Sequence, residues 1–343
     1  MLRFLSLTVS VFLLLVSSAF AFKAASRNHI QIVGSSTVYP FTAVIAETFG
    51  RDTEFRTPIV ESTGTGGGFK LFCSGVGFNH PDFSNASRKI EPSEIKKCAE
   101  NGIAGIVEIK IGYDGIVLAN SVAGTKYNLT KEQVFLALAQ QVPGKDGKLI
   151  ANPYQKWQEI DARLPAINIA VYGPPTTSGT RDAFVELVME EPCSKMKEFA
   201  EAFPDSKIRK KKCHVIRSDG KFIEAGENDN LIVQKLKNDN NALGIFGFSF
   251  LEENHDTIQS ATINNVVPSF VNIVSGAYPV SRPLFIYFKK EHLNLVPGMQ
   301  EFVQEIISKN TIGADGYLLQ KGLIPLTNLE LKKVRAEVTN NLN

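Results

Sequence analysis

The chain has 343 residues, 43% of them hydrophobic, which is enough for two cores of ordinary size. Its 37 Lys and Arg stand against 35 Asp and Glu, so bulk charge argues against nucleic acid or a membrane surface as a partner. The 5 histidines (His29, His80, His214, His255 and His292) are scattered without metal-ligand spacing, so no metal or catalytic imidazole is expected.

The opening residues read as an export signal. Arg3 gives a positive start, Val11 to Val16 form an apolar run, and Ala19-Phe20-Ala21 has the small-residue pattern of a cleavage site. Residues 1–21 are therefore taken as a cleaved signal peptide. No cysteine follows closely, so a soluble protein outside the cytoplasm is expected, in the periplasm, rather than a lipid-anchored one. Oxidising conditions there suit disulfides. Cys73, Cys98, Cys193 and Cys213 allow three pairings. Cys73–Cys98 and Cys193–Cys213 are favoured because each pair lies within one expected lobe. The competing tetrathiolate zinc site lacks C-x-x-C spacing.

Short apolar runs alternate with amphipathic stretches, the pattern of an α/β fold with mostly parallel strands. Ile30 to Val33 reads as a strand, followed by Gly34-Ser35-Ser36-Thr37 and a helix through Phe49. Pro58 to Glu61 is a second strand, leading through Gly64 to Gly68 into a helix with Phe69, Leu71 and Phe72. Asp82 to Asn85 is a third, running into Ala86-Ser87-Arg88, and Pro92 opens a helix to about Gly102. Glu108 to Ala119 is expected to be a strand pair crossing to a second lobe. Further on come a helix from Thr130 through Gln141, a strand at Ile167 to Tyr172, and a helix opened by Ser178-Gly179-Thr180-Arg181. On that helix Phe184, Leu187 and Val188 mark the apolar face. Asp229 to Lys237 reads as a helix and Leu243 to Phe248 as a strand. Ser275 to Tyr287 reads as the return to the first lobe, and a helix from about Pro297 to Ser308 as the element that closes the fold. Residues 22–118 and 275–343 are thus assigned to lobe 1, and 119–274 to lobe 2. The basic run Lys207 to Lys212 is read as a solvated loop, and Trp157 as a packing aromatic.

Three strand-to-helix junctions share a composition: Gly34-Ser35-Ser36-Thr37-Val38, Ser62 through Gly68, and Thr176-Thr177-Ser178-Gly179-Thr180-Arg181. A helix start exposes unpaired N–H groups and partial positive charge, glycine lets an anion approach, and hydroxyls add donors. An ordinary N-cap explains any one of them. Three at strand C-terminal ends, in both halves of the chain, point to an anion site. Arg88 and Arg181 adjoin these junctions and can give paired bonds to an oxyanion. No Gly-Lys-Ser/Thr follows the glycine cluster, Phe69 stands where G-x-G-x-x-G needs its last glycine, and no G-x-S-x-G elbow is present.

At these junctions the sequence resembles the substrate-binding component of the high-affinity phosphate ABC transporter. The matching residues are Val33 through Pro40, Gly64-Thr65-Gly66-Gly67-Gly68, Asn85-Ala86-Ser87-Arg88 and Ser178-Gly179-Thr180-Arg181. The Trp157 to Pro165, Gly244 to Phe248 and Tyr278 to Tyr287 segments add weaker matches. The resemblance implies a two-lobed periplasmic-binding-protein (clamshell) fold with mixed sheets, flanking helices and a two-strand hinge. It further implies a monomer, without cofactor, that binds inorganic phosphate and docks on the membrane subunits of an ABC importer. Carried onto this chain, the phosphate ligands are Ser36, Thr37, the Val38 N–H, Thr65, Ser178, Gly179, Thr180 and Arg181, with Arg88 beside them. Some members of that family have aspartate where Arg88 stands, accepting the ligand's proton, so Asp82, Glu61 or Asp182 must supply that acceptor here or discrimination is weaker. The rivals are a binder of sulfate or a phosphonate, a secreted phosphatase using Ser36 or Ser178, and a structural surface protein.

Overall fold

The computed structural model describes residues 27–226 and 228–342; the signal-peptide segment lies outside them. The main sheet contains β1 (Gln31–Gly34), β2 (Ile59–Ser62), β3 (Phe83–Ala86), β4 (Ile106–Ser121), β5 (Val171–Gly173), β6 (Phe222–Glu224), β7 (Leu243–Gly247), β8 (Ile258–Ser260) and β9 (Ser281–Lys289). Its order is β2-β1-β3-β9-β4-β7-β5-β6, with β8 also on β4. β1 pairs in parallel with β2 and β3, and β5 with β7 and β6. The two parallel sets are joined by antiparallel pairing through β4 and β9. Parallel strands buried on both faces explain the short, nearly continuous apolar runs.

β4 is where the two lobes meet. Its residues Ile106 to Gly115 pair with β9, and Ile116 to Ala119 pair with β7. It is one continuous 16-residue strand, which corrects the expected strand pair. Gly112 pairs with Leu284, where the register shifts before Phe285, so the strand bends at a bulge instead of ending.

Among the helices are α1 (Tyr39–Asp52), α2 (Thr65–Phe72), α3 (Pro92–Glu100), α4 (Lys131–Leu138), α5 (Gly179–Phe184), α6 (Glu190–Lys195), α7 (Ser206–Cys213), α8 (Asp229–Asn238), α9 (Phe270–Val274), α10 (Met299–Ile306) and α11 (Asn328–Leu342). α5 continues through a π turn, Val185–Met189, into α6. That turn keeps Phe184 and Val188 buried while leaving Leu187 partly exposed. α4 begins with the Thr130–Gln133 capping box and stops at Leu138, short of the expected Gln141, because Ala139 is already extended and Gln141–Pro143 pairs with Leu149–Ala151. The basic run is helix α7 and not a loop, since the Asp205 carboxylate accepts from the N–H groups of Lys207 and Ile208. α10 forms where expected, but α11 closes the fold. Its Glu330 accepts from Lys110 Nζ at 2.8 Å and from the Tyr113 hydroxyl, and so ties the C-terminal helix to β4.

The cysteines form Cys73–Cys98 and Cys193–Cys213, the favoured pairing. The first joins α2 to α3, and the second joins α6 to α7. Trp157 is fully buried and packs against Tyr127.

The β1–β3 end of the sheet is also held by a buried charge network. Both Arg27 terminal nitrogens reach the Asp82 carboxylate, which also accepts from the Gln31 N–H at 2.8 Å. His292 takes the Gly77 N–H on Nε2 and therefore presents its Nδ1–H to Asp82, at 2.6 Å. Burial alone pushes the Asp82 carboxyl up, but His292, Arg27 and Gln31 outweigh it and hold it below its ordinary value. A depressed folded value means this stability is full above about pH 4 and is lost as pH falls through the folded value. Asp82→Asn leaves Arg27 buried without its counter-charge and is expected to cost about 3–5 kcal/mol near neutrality. Urea unfolding of both proteins from pH 7 to pH 3 checks this. The gap should narrow in acid, and a gap that does not change with pH would refute the assignment.

Candidate functional site

Two of the three junctions converge on one cavity of about 290 Å³. Thr37, Pro40 and Phe41 line it from the first, and Ser178, Gly179 and Thr180 from the third. The first junction follows β1 because Gly34 takes φ 132°, and a Cβ there would lie 2.2 Å from the Asn85 carbonyl oxygen. Only glycine lets β1 turn this tightly beside β3. The Ser35 N–H then bonds to the Asn85 carbonyl and the Tyr39 N–H to the Ser35 carbonyl. Among the described residues, the N–H groups of Ser36, Thr37 and Val38 donate to no protein acceptor. They are the free donors of a helix start. At the third junction Ser178 is the N-cap and its hydroxyl accepts from the Thr180 N–H at 3.2 Å. That leaves the Ser178 hydroxyl proton available to a ligand.

The two lobes touch across this cavity. A Cβ on Gly179 would stand 2.9 Å from the Ser36 carbonyl oxygen and 3.2 Å from Thr37 Cα. The structure is therefore the closed arrangement, with both helix starts facing one cleft.

Ser36 and Val38 flank Thr37 without lining the cavity themselves, and the remaining expected residues lie apart from it. Thr65 opens α2, and its hydroxyl accepts from the Ser87 N–H and pairs with the Ser87 hydroxyl at 3.0 Å. Arg88 gives both terminal nitrogens to Glu94 at 2.8 Å, lies 3.4 Å from Glu91, and covers the Phe69 ring. Arg181 is buried; it donates to the Pro174 carbonyl at 3.1 Å and stacks 4.4 Å over Phe222. Burial pushes its guanidinium below its ordinary value, with Glu224 and Asp182 opposing. Of the three acceptor candidates, Glu61 is exposed on β2. Asp82 is committed to Arg27 and His292 just ahead of β3, away from the strand ends that carry the junctions. Asp182 is not among the lining residues.

The cavity instead contains groups the sequence did not single out. Asp114 on β4 lines it, partly buried, with Oδ2 lacking any hydrogen-bond partner. Burial raises its carboxyl, Arg282 pulls it down, and Glu186 raises it again, leaving it above its ordinary value. Directly across the ladder, Arg282 of β9 pairs with Asp114 in register, and its Nε lies 3.8 Å from Asp114 Oδ2. Arg282 also donates to the Thr37 hydroxyl oxygen at 2.7 Å and to Glu186 at 2.6 Å. Asn228 and Asp229 at the start of α8, Phe250, Gln320 and Lys321 complete the wall. The arrangement offers neutral hydroxyl and N–H donors from both lobes, a cation at the edge and two carboxylates, Asp114 and Asp229, which is the chemistry of holding a tetrahedral oxyanion that keeps a proton.

The family model of the PBP superfamily domain matches residues 21–310. The curated protein SphX of Synechococcus elongatus is 29% identical over 283 residues, covering 80% of this chain and 73% of its own length. The phosphate-binding protein PstS of Staphylococcus saprophyticus is 29% identical over 280 residues, covering 80% and 74%. A crystal structure of a possible phosphate binding protein from Planctomyces limnophilus superposes with a TM-score of 0.74 at 27% identity, over 93% of this chain and all of that one. A clamshell of two parallel-strand sets joined through β4 and β9, matched by that domain model over most of its length, makes this chain a member of the PBP superfamily.

Proposed function

We propose that this chain captures inorganic phosphate in the cavity between its lobes, outside the cytoplasm, and delivers it to the membrane subunits of an ABC importer. The observation that carries the reading is the convergence of two helix starts, through Thr37 after β1 and through Ser178-Gly179-Thr180, on one cavity between the lobes. Residues 22–118 with 275–343 form lobe 1 in this reading, and 119–274 form lobe 2. The curated relatives include phosphate-binding proteins named PstS, and their family is one of transport binding proteins rather than enzymes.

The direct ligands are Ser36, Thr37, the Val38 N–H, Ser178, Gly179 and Thr180. Thr65, Arg88 and Arg181 support the junctions from behind, through Ser87, Glu94 and Pro174. Asp114 supplies the proton acceptor. A carboxylate facing the ligand accepts only, so it favours an oxyanion that carries a hydrogen and opposes fully deprotonated sulfate.

Calorimetry on ligand-stripped protein tests this. Stoichiometric heat with phosphate and none with sulfate is expected at neutral pH. No heat with phosphate would end the phosphate reading, and equal heat with both would make the chain a general oxyanion carrier.

A further inference from the structure

We infer that Arg282 and Glu186 form a clasp that sets how long the closed lobes stay shut, with Arg282 acting as a positioning residue for Thr37. This rests on the phosphate reading above. Arg282 lies on β9, opposite Asp114 of β4, at the point where β4 passes from one strand set to the other. Facing residues of an antiparallel pair project from the same side of the sheet, so both point to the cavity. The two arms of the guanidinium reach in different directions. Nη2 donates to the Thr37 hydroxyl oxygen, on the junction after β1. Nη1 donates to Glu186, on the π turn that continues α5. One side chain thus bonds at once to both lobes, from the strand between them. The Arg282 side chain is only 10% exposed, and its Nε has no hydrogen-bond partner.

Two consequences follow from this geometry. Because Thr37 Oγ1 accepts from Arg282, its own proton is released to point at a ligand. Opening the cleft moves Thr37 away from Glu186, so it must break at least one of the two charge-assisted bonds. Association meets the cleft before the clasp forms and feels neither bond; dissociation has to break it. The pair therefore acts on the off-rate.

The test is stopped-flow phosphate release, with Glu186→Ala as the main variant and Glu186→Gln as the intermediate step. Glu186 is 38% exposed and sits in a helical turn, so its removal leaves the fold standing where Arg282→Gln risks disrupting it. Glu186→Ala is expected to speed release about five- to tenfold while association stays within about twofold, with Glu186→Gln between it and the wild type. Small-angle scattering of the ligand-free protein should show Glu186→Ala with the larger radius of gyration. Where phosphate binds, the release rate decides, and an unchanged rate overturns the clasp. Should calorimetry find no phosphate binding by the wild type, the phosphate reading falls separately and scattering decides. A larger radius then supports the clasp, and an equal one overturns it.

Discussion

Gly179→Ala is expected to weaken phosphate binding about 30-fold while leaving thermal stability of the ligand-free protein unchanged. The added methyl would meet two backbone atoms of the opposite lobe, the Ser36 carbonyl oxygen at 2.9 Å and Thr37 Cα at 3.2 Å. Neither can swing aside as a long side chain would. Overpacking of this kind costs about 1–3 kcal/mol, and every 1.4 kcal/mol is tenfold in affinity. The cost falls on the closed state alone, since opening the cleft separates the methyl from both atoms. Alanine also suits the first turn of a helix at least as well as glycine. The signature is therefore an affinity loss without a loss of melting temperature, measured by calorimetry and by thermal unfolding of the stripped protein. An unchanged dissociation constant would mean that the bound state is not the closed one described.

Asp114→Asn is expected to change selectivity more than stability. The wild-type carboxylate lines the cavity as an acceptor, with one oxygen lacking a hydrogen-bond partner. Monohydrogen phosphate brings an O–H to meet it; sulfate brings only a second acceptor, and two facing acceptors repel. Asparagine can rotate its amide and offer N–H to either ion. Hydrogen bonds to charged groups contribute about 1.5–3 kcal/mol, so the phosphate-to-sulfate affinity ratio should fall roughly 10- to 100-fold. The same group predicts a pH trend in the wild type. Burial foremost holds the Asp114 carboxyl above its ordinary value, so it takes up a proton at a higher pH than an exposed aspartate. Once protonated it can donate, and discrimination against sulfate should weaken as pH falls. Competition titrations across mildly acidic to neutral pH check both points. A variant that still rejects sulfate would remove Asp114 from the role.

What could be read from the sequence follows how local each signal is. The junctions at Ser36-Thr37 and Ser178-Gly179-Thr180 were legible because a helix start is written in four or five consecutive residues. The disulfides were legible because each closes a short loop within one lobe. Asp114 and Arg282 were not, since neither segment has a motif and only the β4–β9 register sets them side by side. Arg181 adjoins a clear motif, yet where its side chain points depends on the phase of α5, which turns it under Phe222. α11 was missed for lack of a clear apolar stripe; Leu331 and Val338 are its buried residues. The strand pair expected at β4 is a single strand because its continuity rests on a partner, β9, far along the chain.

That distant partner also governs how the molecule is made. β9 lies between β3 and β4 in the sheet, yet it is encoded by residues 281–289. A chain emerging from its N-terminus carries β1, β2, β3 and β4 into solution long before the strand that must sit among them exists. Until then β3 and β4 present open edges, the kind that pair with neighbouring chains. Asp82 meanwhile waits for His292, which arrives later still. The lobe encoded first is thus completed only after the strands of the other have been made, and α11, docking on β4 through Glu330, seals it. Chains that stop short of residue 281 are therefore set up to aggregate rather than to persist as half a clamshell.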